Sequence, residues 1–314
     1  MIARLERWFT IALLLAAGTW AAWALAQDRP GLAAGGALVL LLGYAVVLAI
    51  EFALMVAVNR ADPAPRADGL QVLRAWWGEV LTAPRVFCWL QPFRSRRFDN
   101  HLPTEALGQR GVLLVHGFMC NRGLWNPWLQ RLRKAGVPCV AVDLEPPFGA
   151  IDAYAPLIER AVQQLEAATS VPTVIVAHSM GGLAVRAWMD RYRADARVER
   201  VVTIGSPHHG TWVGRAGLAD NARQMAQGSA WLAELSRREP RSRFARFTCY
   251  YSHCDNIVFP ASSATLPGAD NRHVSAVAHV DLVYHERVNR EVLEALCGAA
   301  ASVGGCGSAD AAAQ

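Results

Sequence analysis

The sequence predicts an α/β domain built on a mostly parallel sheet covered by helices, preceded by two transmembrane helices. Two long apolar runs fill the first sixty residues, and from residue 107 onward short apolar runs alternate with segments of helical periodicity. Those short runs lack the polar alternation of a strand with one wet face, which suits a sheet covered on both sides. At 314 residues, 53% hydrophobic and 18% charged, the chain cannot be a disordered or collagen-like polymer.

The formal charge is +5, and every basic residue except Lys134 is arginine. The arginines are scattered without an aromatic-interleaved stripe, so nucleic acid is not an expected partner. Seven cysteines (Cys88, Cys120, Cys139, Cys249, Cys254, Cys297 and Cys306) form no CxxC pair. A zinc or thioredoxin-like site is therefore unsupported, and mostly buried free thiols in a reducing compartment are expected.

Residues 1–60 read as a transmembrane hairpin. Trp8 to Ala26 carries no charge, and Leu32 to Val58 carries only Glu51. Each covers the ~20 residues that a spanning helix needs. Gln27 to Gly31 supplies a polar turn with helix breakers. The rival is a cleaved secretory signal, given the basic start at Arg4 and Arg7 and the Ala24-Leu25-Ala26 sequence. Only Arg29 lies between the spans, whereas Arg4 and Arg7 precede them and Arg60, Arg66, Arg74 and Arg85 follow. The positive-inside rule places both ends in the cytoplasm, so the expected location is the inner membrane with the domain facing the cytoplasm. Glu51 is expected at the interface, and Trp8, Trp20 and Trp23 at the interface or in lipid.

Residues 61–106 form a linker punctuated by Pro63, Pro65, Pro84, Pro92 and Pro103. Leu70 to Leu81 has the pattern of a short amphipathic helix carrying Trp76 and Trp77. It either lies on the membrane or packs on the domain. The Arg94, Arg96, Arg97 cluster is expected as a solvated face, with anionic headgroups as the alternative.

The α/β domain is expected over residues 107–299. Strands are expected at Gly111 to His116, Val137 to Leu144, Val171 to Ala177, Val198 to Ile204 and Phe247 to Tyr251. The first helix follows the spacing of Leu124, Trp125, Trp128, Leu129 and Leu132 and ends at Gly136. Further helices are expected at Ile151 to Ala167 and Gly182 to Tyr192, with a closing helix at Tyr284 to Leu296. Residues 208–245 form an insertion with a helix over Ala222 to Leu235, which is either a partial lid or a crossover. The Gly-, Ala- and Ser-rich tail, 300–314, is expected to be disordered.

The sharpest chemical signal is Ala177-His178-Ser179-Met180-Gly181-Gly182, between a predicted strand and a predicted helix. That context is what a nucleophile elbow requires, with small flanks such as Ala177 and Gly181 around a strained serine. Together with Val115-His116-Gly117-Phe118, Gly205-Ser206-Pro207-His208-His209-Gly210-Thr211 and the segments around Asp255 and His279, this resembles the α/β-hydrolase superfamily and its bacterial lipase and esterase branch. The resemblance spans about residues 107–299 and leaves the membrane hairpin outside.

The resemblance implies a Ser179, Asp255, His279 triad in that chain order. Asp255 looks like the acid after the penultimate strand, with Asp143 as a backup that would break the order. Asp270 and Asp281 are less well placed. His279 stands where the family has its base, just before the closing helix. His178 is expected to be structural and His116 to hold its loop, while Gly117 lets the chain approach closely. Two backbone N–H groups must hold an oxyanion, and those of Phe118 and Met180 are the candidates. Leu124, Trp125, His208, His209 and Trp212 are candidate pocket residues.

The expected activity is a membrane-anchored serine hydrolase of lipid or acyl esters, with no cofactor. In some related lipases calcium braces the histidine loop, but Asp281 lacks a clear second ligand and no metal is expected. The alternatives are an acyltransferase or thioesterase on the same triad, and a non-catalytic membrane-bound binding module. Oligomeric state is not legible.

Overall fold

The computed structural model describes residues 1–297, so the tail expected to be disordered lies outside the described residues. Six parallel strands form one sheet: β1 (Val112–Val115), β2 (Cys139–Val142), β3 (Thr173–His178), β4 (Val198–Ile204), β5 (Phe247–Tyr251) and β6 (Asp270–His273). Their order is β2-β1-β3-β4-β5-β6. The chain runs outward from β1 to β2, then returns to place β3 on the other side of β1. The sheet's topological switch point therefore lies between β1 and β3, where α/β folds open a crevice at the strands' carboxyl ends.

Side-chain alternation explains why the strands read as continuous apolar runs. Leu113 and Val115 enter one core with Ile158, Val162, Leu183 and Trp188. Val112 and Leu114 enter the other with Trp125, Trp128, Leu129 and Val288. The first core is built on α6 (Ala155–Thr169) and α7 (Met180–Tyr192), the second on α5 (Asn126–Lys134) and α10 (Glu286–Cys297). Burying both faces of a strand removes any reason for polar residues along it.

Two features depart from the sequence reading. The single helix expected over Ala222 to Leu235 is two helices, α8 (Asp220–Gln224) and α9 (Ala230–Arg238), broken where Gly228 takes a φ of 73°. Strand β6 was not anticipated, because Asp-Asn-Arg-His has no apolar run and lies at the sheet edge. The 208–245 insertion is tied to the domain at several points. Buried Arg186 pairs with Glu239, Asn221 Nδ2 donates to Pro147 O at 2.8 Å, and Trp231 Nε1 donates to Asp152 at 2.6 Å.

At the other end of the chain, α1 (Ile2–Ala26) and α2 (Pro30–Val58) form an antiparallel pair. Both are long and apolar enough to cross a membrane. The end of α2 nearest the domain is buried against it. Phe52 and Met55 of α2 pack with Cys254, Phe259 and Ala278. Asn59 donates to His253 O and accepts from the Ala261 N–H.

Helix α3 (Gly69–Pro84) starts at a capping box in which Asp68 accepts the Gln71 N–H and Gln71 Oε1 accepts that of Asp68. It passes through a π-helical stretch, Arg85–Leu90, into α4 (Gln91–Arg94). Ala75, Glu79 and Val80 are buried, and Trp76 Nε1 and Val80 O bond to Ala45 O and Tyr44 Oη of α2. Leu70, Leu73, Trp77 and Leu81 form an exposed apolar row on another face. The helix thus packs inward on one face and presents an apolar stripe outward on another.

Candidate functional site

Ser179 sits between β3 and α7 with φ 54° and ψ −130°, a sparsely populated conformation for a residue with a Cβ. Its N–H donates to Ile204 O at 2.9 Å, which ties the turn to the next strand. Two glycines allow the close packing. A Cβ on Gly181 would lie 2.6 Å from the carbonyl oxygens of both Val115 and His116, and one on Gly117 would lie 2.7 Å from Ser179 Cβ. Ala177, the small residue at −2, is fully buried. Ser179 follows β3 and Gly117 follows β1, so they flank the switch point. Phe118 and Met180 bracket the serine from these two elements, and Met180 opens α7, whose N-terminus favours negative charge.

His279 and Asp255 are brought together. His279 Nδ1 lies 2.9 Å from Asp255 Oδ2, both side chains being nearly inaccessible. Asp255 Oδ1 accepts the N–H groups of Ile257 (2.9 Å) and Val258 (2.7 Å), which fixes the carboxylate plane. Burial by itself lowers the affinity of His279 for a proton. The charge and hydrogen bond of Asp255, with the charges of Glu79 and Glu51, outweigh this and raise its pKa above the ordinary value. No hydrogen bond joins His279 to Ser179 among the described residues. The two are nevertheless neighbours through His178, whose ring centroid is 4.6 Å from that of His279.

Glu79 is the residue that sequence reading missed. It reaches from α3 into the site, where its two carboxylate oxygens accept the N–H groups of Val280 and Asp281, each at 3.1 Å. Asn256 Oδ1 accepts the N–H of His279 at 3.2 Å, and Asn256 Nδ2 donates to Glu51 of α2 at 2.7 Å. Three successive backbone donors, 279 to 281, are therefore held by side chains. Burial pushes the Glu79 carboxyl up to about 7, offset in part by His279 and the two amides. Thr82 also donates to Asp281 Oδ1 at 3.0 Å, so α3 braces the His279 loop at a further point.

The other expected residues separate into supports and core. His116 Nε2 accepts the Leu144 N–H and its Nδ1 faces Gly117 O, both within 3.0 Å, which holds the loop. Burial lowers its pKa, and burial followed by the charge of His279 does the same to His178. Asp143 accepts the Arg122 N–H instead of meeting His279, and Asp270 bonds Arg272. Three of the five expected pocket residues, Leu124, Trp125 and His208, are corrected, being fully buried. Leu124 and Trp125 are fully buried in the core beneath α5. His208 is buried against Thr203 Oγ1, and Trp212 stacks on Phe259 in the seam with α2. Only His209 is exposed.

A six-stranded parallel sheet with a strained serine at the carboxyl end of β3 and a buried His–Asp pair beside it defines the class of an α/β hydrolase. Residues 112–303 match the alpha/beta hydrolase family, and the chain belongs to that family. Among solved structures, the mature form of Bacillus licheniformis lipase BlEst2 is similar with a TM-score of 0.55 at 16% identity, over 62% of this chain and 95% of that one. Aspergillus fumigatus lipase B is similar with a TM-score of 0.56 at 19% identity, over 65% of this chain and 57% of that one. Identities this low establish a shared fold.

Proposed function

We propose that the protein is a membrane-anchored serine hydrolase that cleaves lipid or acyl esters through Ser179, His279 and Asp255. The observation that carries this reading is the buried 2.9 Å His279–Asp255 contact beside the strained elbow serine. With Nδ1–H given to Asp255, Nε2 of His279 is free to take the Ser179 proton as Oγ attacks the ester carbonyl. The oxyanion that forms is held by the N–H groups of Phe118 and Met180, each such donor being worth ~3 kcal/mol. His279 then protonates the departing alcohol, and water cleaves the acyl-enzyme through the same base. The unformed Ser179–His279 bond fits a resting site, where such bonds are often long until substrate binds.

The lipid half of the reading rests on where the site's loops lie. Asn121, close after Phe118, contacts Glu6 of α1. The segments around Asp255 and His279 pack on Phe52 and Met55 of α2. The exposed row Leu70, Leu73, Trp77 and Leu81 extends apolar surface beside this seam. A bilayer entered by α1 and α2 would bring ester-bearing lipid to that side. Activity should rise from acetate to longer acyl esters. Strict preference for acetyl or polar acyl groups in the same panel would sink the lipid reading.

The arginine distribution supports a domain on the cytoplasmic side. A protease confined to the periplasm of intact cells should therefore leave the domain whole, and its digestion there would reverse the orientation.

Glu79 acts in this account as a positioning residue for the His279 loop. With its carboxyl pushed up to about 7, Glu79 is partly ionised near neutrality, and Glu79→Gln removes that partial negative charge and exchanges one acceptor oxygen for a donor. Since that charge raises the His279 pKa, its loss should shift the acidic limb of the kcat/KM profile to lower pH. Misplacing the base should lower plateau kcat by roughly 10-fold with KM little changed. A lowered rate with an unmoved limb would reduce Glu79 to a structural support.

A further inference from the structure

We propose that a groove between the start of α1 and the turn after α4 binds the anionic headgroup of a phospholipid, separately from the substrate site. The groove encloses about 620 Å³, and its lining includes Arg4, Arg7, Phe93, Arg94, Arg96 and Arg97 but no Asp or Glu. Five arginines thus line one concavity with no acidic side chain in its wall. Like charges so gathered repel unless an anion enters, and a phosphate suits the planar guanidinium fork.

Part of the cluster is already oriented. Arg7 donates through Nε and Nη2 to Pro92 O at 3.1 and 2.7 Å, and its guanidinium lies over the Phe93 ring. Arg94 lies over Trp89, 4.9 Å from the ring centroid.

The second observation is what borders the charge. Leu5, Trp8 and Phe9 of α1 and Trp89 are all at least half exposed. A free phosphate would use the arginines and leave this apolar surface bare, whereas a phospholipid would use both. Arg7 stands one residue before the uncharged run Trp8 to Ala26, at the depth where headgroups meet a spanning α1. The proposal rests on the membrane reading of α1 and α2 and is independent of Ser179.

The test uses full-length protein, delipidated in a neutral detergent and titrated with phosphatidylglycerol or phosphatidylcholine, with bound lipid counted by native mass spectrometry. Wild type should prefer phosphatidylglycerol. The exposed triple variant Arg94→Gln, Arg96→Gln, Arg97→Gln should bind it roughly 100-fold more weakly, at the ~1 kcal/mol expected per arginine. Replacing the same three with lysine should keep most of the preference, which guards against a folding artefact. Equal binding of the two lipids by wild type, or an undiminished preference in the glutamine variant, would overturn the site. Full displacement of phosphatidylglycerol by inorganic phosphate at matched concentration would overturn the lipid assignment, leaving a site for soluble anions. Unchanged lipid binding in Ser179→Ala would keep this outcome separate from the fate of the hydrolase reading.

Discussion

Replacing Ser179 with alanine is expected to lower kcat by on the order of 10⁵- to 10⁶-fold, the scale at which loss of a triad nucleophile acts. Alanine keeps the Cβ and so inherits the elbow's φ of 54° without relieving it. The Ser179 N–H bond to Ile204 O involves only backbone and survives. Unfolding temperature should therefore move little while turnover disappears. The residue is nearly buried and its Oγ is the only group lost, so a collapse of activity with an intact fold isolates the chemistry. Unchanged turnover would remove the mechanism.

The second large effect is expected from Asp255→Asn, on the order of 10⁴-fold in kcat. The local hydrogen bonds dictate the reason. Oδ1 accepts two backbone N–H groups, from Ile257 and Val258, so the oxygen of an asparagine is drawn to that side. Its NH₂ group then faces His279 Nδ1 at the position of Oδ2. An NH₂ can only donate there, so Nδ1 must accept and the ring proton moves to Nε2. The nitrogen that should take the Ser179 proton is then already protonated. The shape is retained and the tautomer is wrong. A kcat within 10-fold of wild type would show that Asp255 does not set the tautomer.

These expectations came from sequence with uneven ease. Strands β4 and β5 were legible to the residue because Val201–Ile204 and Phe247–Tyr251 are β-branched and aromatic runs within a covered sheet, with only Glu199 and Arg200 at the start of β4 outside that pattern. The elbow was legible because small residues are compulsory where backbones touch, as Gly181 does against Val115 and His116. Strand β6 was hidden because an edge strand with polar side chains carries no burial pattern.

Leu124 and Trp125 show the limit in the other direction. Helical apolar spacing signals burial without distinguishing a pocket wall from a core. His208 and His209 looked equivalent as neighbours, yet the turn buries one against Thr203 and leaves the other exposed.

Glu79 was missed because one carboxylate on an amphipathic helix normally faces water. A signal existed in the pattern of Leu70 to Leu81 itself. Glu79 falls one turn after Ala75 and Trp76, on the face opposed to the exposed Leu73 and Trp77, where a charge needs a partner. The partners, the amides of Val280 and Asp281, lie some two hundred residues away and could come only from the fold.

The most direct test of the central claim is fluorophosphonate labelling of detergent-solubilised full-length protein beside Ser179→Ala, with the modified peptide identified by mass spectrometry. The account predicts a single adduct on Ser179 in wild type and none in the variant. Equal labelling of both proteins, or no labelling of a folded wild type, would contradict it.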